Sequence, residues 1–242
     1  MNIIKLNAIS STNEHLKQLM AQQVVSNLTV VWAKHQTLGK GQMGSTWEVE
    51  EGKNLTFSIL IKDLIVDVHQ LFTLNIVVSL AVFSTLEQIK IPKLTIKWPN
   101  DIMSGHSKIG GILIENSFKS NGEVFSVVGI GLNVNQLSFE NIPNASSLAK
   151  IMGKEYDLEV LLNKILQSLQ YFLAQMRTDS PSIWKMYHQK LFKIGVPTPF
   201  EKPNGEKFMA IIQKVTPDGR LELLQENDEL VHFDVKEVKL LY

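Results

Sequence analysis

Residues 39–44, with the sequence GKGQMG, form a glycine-rich pattern that suits ligand chemistry. The pattern fits G-x-G-x-x-G, which dinucleotide-binding turns and kinase loops share. A dinucleotide site needs a helix directly after the glycines, whereas residues 45–61 predict a loop and then a strand. The sequence lacks the HRD and DFG motifs of kinases, and Ser45 stands where a phosphate-binding P-loop requires lysine. A flexible loop with one cation and one amide remains, and a plain surface loop would show the same pattern.

Further motifs accompany this loop in a fixed order along the chain. The five segments are SSTNEHL (10–16), HQTLGKGQMGSTW (35–47), KWPND (97–101), SKIGGILIE (107–115) and GIGLNVN (129–135). In this order and spacing they resemble the catalytic domain of biotin protein ligases. The resemblance runs from near the start of the chain to Tyr242, and the C-terminal part resembles the small SH3-like domain of that family.

The resemblance implies both a fold and a reaction. The fold class is α+β, with a seven-stranded mixed sheet and helices, related to class II aminoacyl-tRNA synthetases and lipoate ligases. The enzyme would be an ATP-dependent biotin–[biotin carboxyl carrier protein] ligase. Biotin and ATP would give biotinyl-AMP and pyrophosphate, and a lysine of a biotin carboxyl carrier domain would then take the biotinyl group. Mg²⁺ carried by ATP is the only ion that we expect.

Polar side chains of the first two motifs suit the ureido ring of biotin. The ring has one carbonyl acceptor and two N–H donors, and a buried group left unmatched costs about 1 to 3 kcal/mol. Both kinds of partner are offered by Ser11, Thr12, Asn13 and Gln36. Ser11 and Thr12 also suit a helix cap, which is the more frequent role for this local pattern. The resemblance adds loop and strand residues to the biotin site: Gly39, Lys40, Gly41, Gln42, Trp47, Lys108, Gly111, Gly129 and Gly131.

Fixed positive charge is required where biotin meets ATP, because a carboxylate that attacks a triphosphate brings two anions together. Lys108 matches the family's lysine and forms the expected catalytic set with Asp101 and Lys40. Asp101 is a hard oxygen donor that suits Mg²⁺, although an Asx turn after Pro99 would explain it equally well. The expected ATP contacts are Lys40, Asn100, Asp101, Lys108 and Asn133.

The proposed reaction gives the glycine loop a specific role. Water destroys an acyl adenylate, so the loop should fold over the intermediate until the carrier arrives. Members of the family often have arginines in this loop, whereas this chain has Lys40, Gln42 and Met43. Lysine cannot form the bidentate fork of arginine, so we expect faster loss of biotinyl-AMP than in arginine-bearing relatives. Single-turnover release compared with a Lys40→Arg variant would test this expectation.

Hydrophobic periodicity places the motifs on a sheet with helices covering one side. Helices are predicted at residues 12–20, 71–86, 157–176 and 183–192, and strands at 28–33, 55–61, 94–98, 109–118 and 124–134. The strand at 55–61 is apolar enough to be buried on both faces. The segment at 71–86 is interrupted by polar residues. Its apolar run is therefore shorter than the roughly 18 residues that a membrane span needs, and the segment predicts a buried helix.

The pattern changes at about Gly195. Short β-type runs alternate there with turn signals at residues 203–205, 217–219 and 226–228, which predicts a separate small barrel. We therefore expect a catalytic domain at 1–193 and a small SH3-like domain at 194–242.

Composition narrows the classes of protein. The chain has 242 residues, with 44% apolar residues and equal numbers of Lys plus Arg and Asp plus Glu, 24 each. Without a net positive charge, DNA and anionic membranes are not expected partners. The chain has no cysteine and no visible secretory signal, and the first motif begins at Ser10. We expect a cytoplasmic, monofunctional form without an N-terminal DNA-binding domain.

Three alternatives stay open. A lipoate or octanoate ligase shares the fold and the adenylation step, but the polar cluster that suits a ureido ring favours biotin. A non-catalytic biotin-binding module would not need Lys108, Asp101 and Asn133. A repressor is disfavoured by the balanced charge. The carrier protein should dock transiently, partly through an exposed sheet edge, and the oligomeric state, a homodimer included, is left open.

Overall fold

The fold is described from a computed structural model of the chain, which describes residues 1–62, 71–118, 123–140 and 142–242. Seven strands form the larger sheet: β1 (Ile3–Ile9), β2 (Val30–Gln36), β3 (Leu55–Lys62), β4 (Leu94–Lys97), β5 (Asp101–Ser104), β6 (Ser107–Phe118) and β7 (Val124–Leu132). Their order is β1-β2-β3-β7-β6-β5-β4. Strands β1 and β2 are parallel, and the other neighbours are antiparallel. The expected seven-stranded mixed sheet is confirmed.

Helices lie on both faces of this sheet, so the expectation that they cover one side was wrong. The helices are α1 (Thr12–Gln22), α2 (Leu71–Gln88), α3 (Leu148–Met152), α4 (Leu158–Thr178) and α5 (Ser180–Gln189). Leu16 of α1 packs with Leu60 of β3 in one core cluster, whereas Phe57 and Ile59 of β3 belong to the cluster formed with α2, α4 and α5. Strand β3 is buried on both faces, as its sequence predicts, and each face needs a cover.

Helix α2 is the central helix of the larger core. By length and by a mean hydropathy of 1.5 it could cross a membrane, but 72% of it is buried inside the molecule. It packs against α4 on one side and against β4, β5 and β6 on the other. The prediction of a buried core helix is confirmed.

Two strands of the larger sheet, β1 and β5, were not predicted from the sequence. Strand β1 is an edge strand of mixed polarity, and β5 has only four residues and begins inside the KWPND motif. Neither is long and regular enough to give a period-2 signal. All the strands and helices that the sequence predicts are present, with ends shifted by a few residues.

The C-terminal region forms a second, five-stranded antiparallel sheet that is consistent with the expected SH3-like domain. Its strands are β8 (Pro197–Glu201), β9 (Lys207–Val215), β10 (Leu221–Gln225), β11 (Leu230–Phe233) and β12 (Lys239–Leu240), in the order β11-β10-β9-β8-β12. The three predicted turns join successive strands from β8 to β11. Each turn contains a residue with positive φ: Gly205, Gly219 and Asp228. The expected domain limits at 193 and 194 stay a prediction.

The two sheets share a continuous hydrophobic core. Phe200 and Ile212 of the C-terminal sheet belong to the same buried cluster as Leu74 of α2. The turn at Gly219 also accepts a hydrogen bond of 2.9 Å from the indole N–H of Trp98, which follows β4. A Cβ at Gly219 would lie 2.5 Å from the Phe72 ring of α2, so only glycine fits this contact.

Candidate active site

A cavity of about 210 Å³ lies on the α1 face of the larger sheet, beneath the glycine loop. The five motifs converge on it. Residues expected from the sequence that line the cavity are Ser11, Thr12, Asn13, Gln36, Lys40, Gly41, Gln42, Trp47, Asn100, Asp101, Lys108, Gly111, Gly129 and Gly131. Gly39 and Asn133 were also expected at the ligands, and they do not line the cavity.

One end of the cavity is formed by buried and half-buried polar side chains that are hydrogen-bonded to one another. Gln36 Oε1 accepts from both the backbone N–H and the hydroxyl of Thr12, at 2.8 and 2.9 Å. The Ser58 hydroxyl lies 2.7 Å from the Thr12 hydroxyl and 2.5 Å from Asn13 Oδ1. Because Gln36 Oε1 already has two donors, the amide N–H₂ of Gln36 is the group that it offers to a ligand.

Ser11 occupies the N-cap position of α1, but its side chain makes no capping hydrogen bond. The residue is buried beside the cavity. Helix capping is therefore not the role of the Ser11 hydroxyl in this structure, although the helix begins where the sequence predicts.

Asn13 is held by a hydrogen bond to Glu115, in a space that Gly129 leaves open. Its Nδ2 donates to Glu115 Oε2 at 2.7 Å, and a Cβ at Gly129 would lie 2.5 Å from its Oδ1. Gly129 pairs directly with Ser58 of β3. The glycine thus leaves the space that the Asn13 amide occupies.

The middle of the cavity has a floor of paired glycines covered by Trp47. Gly111 of β6 lies opposite Gly131 of β7 in the sheet. A Cβ at Gly131 would lie 2.6 Å from Trp47 Cζ2, and one at Gly111 would lie 3.3 Å from Trp47 Cζ3. The indole ring lies on the backbone, and a side chain at Gly131 would displace it.

Lys108 and Asp101 meet at the other end of the cavity. Lys108 Nζ lies 2.6 Å from Asp101 Oδ1, and Lys97 Nζ lies 3.9 Å from Asp101 Oδ2. Lys108 Nζ is also 5.6 Å from the centre of the Trp47 ring. Two ammonium groups around one carboxylate leave this end with net positive charge, which suits an anionic ligand.

Lys97 joins this group to the C-terminal sheet. Its Nζ lies 4.8 Å from the centre of the Tyr242 ring, which follows β12. Burial lowers the pKa of the Lys97 ammonium; the charge of Asp101 opposes this shift, and the charge of Lys239 adds to it. A second cavity of about 490 Å³ lies between the two sheets, and Lys97, Asp101 and Lys239 line it. Asp101 therefore borders both cavities.

The two asparagines expected to contact ATP are bonded to backbone carbonyls. Asn100 Nδ2 donates to the carbonyl of Ile112, while Asn100 still borders the cavity. Asn133 is buried, and its Nδ2 donates to the carbonyl of Ser146 at 3.0 Å. Asn133 thus holds the loop that precedes α3, and its expected contact with ATP stays a prediction.

The glycine loop, residues 39–47, is called the flap below. Its two arms are paired by backbone hydrogen bonds from Trp47 N–H to the Gly39 carbonyl at 2.9 Å and from Gly41 N–H to the Ser45 carbonyl at 2.7 Å. A short 3₁₀ turn, Gln42–Gly44, forms the tip. Lys40 lines the cavity, but its Nζ lies 2.9 Å from Glu14 Oε1 on α1. The expected effect of a lysine at this position on biotinyl-AMP release stays a prediction.

Sequence reasoning missed four residues that shape the cavity. They are Glu14, Ser58, Lys97 and Glu115. Ser58 carried a signal, since a serine within the apolar run of β3 must find a buried partner. Glu115 ends the SKIGGILIE motif, but its partner Asn13 lies about a hundred residues away in the sequence. Such a long-range pair has no local signal.

Asp101 is a carboxylate at the cavity that could bind a metal ion. Within the described ranges, no group of three or more His, Cys, Asp or Glu side chains could hold a metal ion by itself. One carboxylate together with phosphate oxygens is the usual environment of Mg²⁺. Asp101 Oδ2, which is farther from its lysine neighbour than Oδ1, is the oxygen that fits this role.

The sequence profile of the biotin/lipoate A/B protein ligase family matches residues 6–135, which is more than half of the chain. The chain is 29% identical over 214 residues to a biotin–[acetyl-CoA-carboxylase] ligase of Mycobacterium tuberculosis, covering 87% of this chain and 79% of that protein. It is 31% identical over 195 residues to the bifunctional ligase/repressor BirA of Bacillus spizizenii, covering 77% of this chain and 59% of that protein.

The fold also resembles solved structures. A biotin protein ligase from Aquifex aeolicus in complex with biotin and ATP superimposes with a TM-score of 0.81 and 28% sequence identity, covering 99% of this chain and 98% of that one. The similarity therefore extends over both sheets.

Proposed function

The chain belongs to the biotin/lipoate A/B protein ligase family, and from this membership we propose how its cavity activates biotin with ATP. The activity is that of an ATP-dependent biotin ligase: biotin and ATP give biotinyl-AMP and pyrophosphate, and a protein lysine takes the biotinyl group. The protein substrate is a biotin-carrying carboxylase. The roles of individual residues given below are our proposal.

The observation that carries the proposal is the pairing of Lys108 with Asp101 above the glycine floor. In the first step a carboxylate oxygen of biotin forms a bond to the α-phosphorus of ATP, and the bond to pyrophosphate breaks. Lys108 places a positive charge between the two anions and stabilises the charge that develops on the phosphorus oxygens. Asp101 keeps the ammonium extended towards that point.

The polar end of the cavity binds the ureido ring of biotin. Gln36 donates from its amide, Ser11 offers a hydroxyl, and the Asn13 amide is held in a fixed orientation by Glu115. A preorganised set of donors and acceptors costs little reorganisation when the ligand binds. A lipoyl or octanoyl chain has no ureido group to pair with these atoms, so a buried polar cluster disfavours it.

We propose that the triphosphate extends from Lys108 towards the larger cavity between the sheets. Support comes from Lys97 and Lys239, two lysines on the wall of that cavity. Asp101 would be the protein ligand of Mg²⁺, which neutralises phosphate charge when bound. The 210 Å³ cavity is below the range of about 300 to 1,000 Å³ that is usual for ligand sites, so we propose that the flap and Trp47 move outwards when biotin enters.

In the second step the amine of a carrier lysine attacks the biotinyl carbonyl carbon, and AMP leaves. The flap excludes water from the mixed anhydride until then. We propose that the carrier domain, and not DNA or a membrane, is the macromolecular partner, which the balanced charge of 24 cations and 24 anions supports. The chain spans 59% of the bifunctional relative's length, and repression is not part of the proposal.

The test is incubation with biotin, MgATP and a biotin carrier domain, followed by mass measurement of the carrier. A gain of one biotinyl group is expected, and it should be absent without ATP and absent from a carrier whose target lysine is replaced by arginine. Replacing biotin by lipoate should give no gain. Modification with lipoate alone would overturn the assignment of the substrate, and no modification with either acid would overturn the proposed transfer.

A further inference from the structure

Glu14 connects the flap to helix α1 at the mouth of the cavity. Its Oε1 lies 2.9 Å from Lys40 Nζ, and the two side chains are 33% and 53% exposed. Glu14 follows Asn13 directly, so the first turn of α1 presents one side chain to the cavity and the next to the flap. The flap and the biotin end of the cavity are thus attached to the same turn of helix.

The carboxylate of Glu14 is itself anchored. Lys17, one turn further along α1, lies 3.3 Å from Glu14 Oε1 and 2.6 Å from Glu115 Oε1. The other oxygen of Glu115 accepts from Asn13. A row of alternating charges therefore runs from the flap through Glu14 and Lys17 to the side chain that faces the ligand.

The electrostatics of this row favour the charged forms. The hydrogen bond from Lys40 lowers the pKa of the Glu14 carboxyl; partial burial opposes the shift, and Lys17 adds to it. Burial by itself would lower the pKa of Lys17, but the hydrogen bond to Glu115 and the charges of both glutamates raise it. The contact between flap and helix, Lys40 Nζ to Glu14 Oε1, is thus an ion pair.

We propose that Glu14 is a positioning residue for the flap: by holding Lys40 against α1 it keeps the flap closed over bound biotin and slows biotin release. The proposal rests on the proposed binding of biotin in this cavity. Glu14 does not line the cavity, so it acts through Lys40 and not on the ligand itself. Nothing in the ligase chemistry requires a carboxylate at this position.

The effect should be modest, because partly exposed ion pairs are weak. Such pairs typically change an equilibrium by about two- to fivefold. Salt should reduce the effect, since screening at about 0.5 M ionic strength is far stronger than at low salt. The direction of the change in the dissociation rate tests the proposal, because loss of the Glu14 charge should speed the dissociation of biotin.

The experiment is a stopped-flow chase of bound biotin from the full chain at low and high salt. Glu14→Gln keeps the size of the side chain and removes its charge. The matched control is Glu159→Gln, which breaks an ion pair of 2.7 Å with Lys5 whose side chains are 53% and 51% exposed and which lies outside the cavity. Lys40→Gln removes the same flap contact from the other side and does not alter helix α1.

The expected result is about two- to fivefold faster dissociation for Glu14→Gln at low salt, a smaller change at high salt, and no change for Glu159→Gln. In a Lys40→Gln background, Glu14→Gln should have no further effect, which a general loss of stability would not produce. Unchanged dissociation would overturn the proposal. Slower dissociation would also overturn it, because Glu14 would then compete with the ligand for Lys40. If the unmodified chain fails to bind biotin, the proposed function itself has failed.

Discussion

The ammonium of Lys108 lies 2.6 Å from a carboxylate oxygen of Asp101. The two residues come from neighbouring antiparallel strands, β5 and β6, next to a register shift between Ile102 and Met103. The pair borders the catalytic cavity, and Asp101 also borders the larger cavity between the sheets. One ion pair thus stands at the junction where the proposal places the reacting carboxylate and phosphate.

Replacing Lys108 by alanine should slow biotinyl-AMP synthesis by about 100- to 1,000-fold, because a charge that stabilises the transition state is lost. Biotin binding should change much less, since the ureido end of the cavity is unaltered. Biotin-dependent exchange of pyrophosphate into ATP measures the first step alone. Lys207→Ala, at an exposed lysine of the C-terminal sheet, should leave the exchange unchanged. An unchanged rate in Lys108→Ala would contradict the proposed mechanism.

Alanine at Gly131 should weaken substrate binding at least tenfold. Its Cβ would lie 2.6 Å from Trp47 Cζ2, so the indole must leave its place on the glycine floor. Alanine at Gly111 is the comparison, because its Cβ would lie 3.3 Å from the same ring and 3.4 Å from Lys108 Nζ, and a small shift of these side chains accommodates it. Calorimetric titration with biotin and with ATP measures both effects. Equal effects of the two substitutions would show that contact with Trp47 does not matter.

Gly219→Ala should destabilise the protein more than Gly205→Ala. Both glycines have positive φ, 91° and 85°, a conformation that costs alanine about 1 to 2 kcal/mol. At Gly219 the added Cβ would also meet the Phe72 ring at 2.5 Å, whereas at Gly205 it would meet no atom of the described residues within 4 Å. The clash should add about 1 to 3 kcal/mol to the loss. Thermal unfolding of the two variants gives the difference, and identical midpoints would contradict the close packing of the two sheets.

Tyr187→Phe should increase the free energy of unfolding by about 1 kcal/mol, because a buried unsatisfied hydroxyl is removed. In the described part of the chain, the Tyr187 hydroxyl is fully buried and has no hydrogen-bond partner. Burial also raises the pKa of this hydroxyl, so it stays neutral over the usual pH range. Denaturant unfolding measures the change, with Tyr171→Phe on the exposed surface as the control. A clear loss of stability would indicate that the hydroxyl has a partner in solution.

In the Lys239→Ala variant, the alkaline decline of adenylation, taken relative to the rate of the same variant at neutral pH, should begin at a higher pH. The charge of Lys239 adds to the effect of burial in lowering the pKa of Lys97. Lys97 therefore loses its proton, and its attraction for phosphate, at a lower pH than an ordinary lysine. Removing Lys239 raises the pKa of Lys97, so the decline of the rate on the alkaline side should begin later.

Pyrophosphate exchange measured from pH 7 to about 10 tests this prediction, since ordinary lysines titrate near pH 10.4. Lys207→Ala again serves as the control. The profile of Lys239→Ala would contradict the proposal if its alkaline decline were unchanged or began at lower pH.

The sequence predicted the elements whose patterns are long and regular. Helix α4 follows from its helical spacing of apolar residues, and α2, β3 and β7 follow from apolar runs of sufficient length. The ordered motifs place Lys108, Trp47 and the strand glycines at one cavity. The placement of α1 on the opposite face from α2 could not be read from composition. The two-sided burial of β3 implied it, because both faces of an apolar strand need cover.

The partners of individual side chains were beyond sequence reasoning. The Asn13–Glu115 and Lys40–Glu14 contacts join residues that are 102 and 26 positions apart, and they depend on how α1 is placed over the sheet. Asn133 was expected to contact ATP, but its side chain donates a hydrogen bond to the backbone of its own loop. The cytoplasmic location expected from the sequence stays a prediction.

The hydrogen bond from Trp98 to Gly219 has a practical consequence for anyone who shortens this chain. A fragment that stopped before β8 would expose the apolar flank of α2 and leave the Trp98 indole, within the KWPND motif, without its acceptor. We expect such a fragment to aggregate during expression, before its catalysis could be assayed. Biotin-labelling tools built from this protein should therefore keep both sheets in one polypeptide.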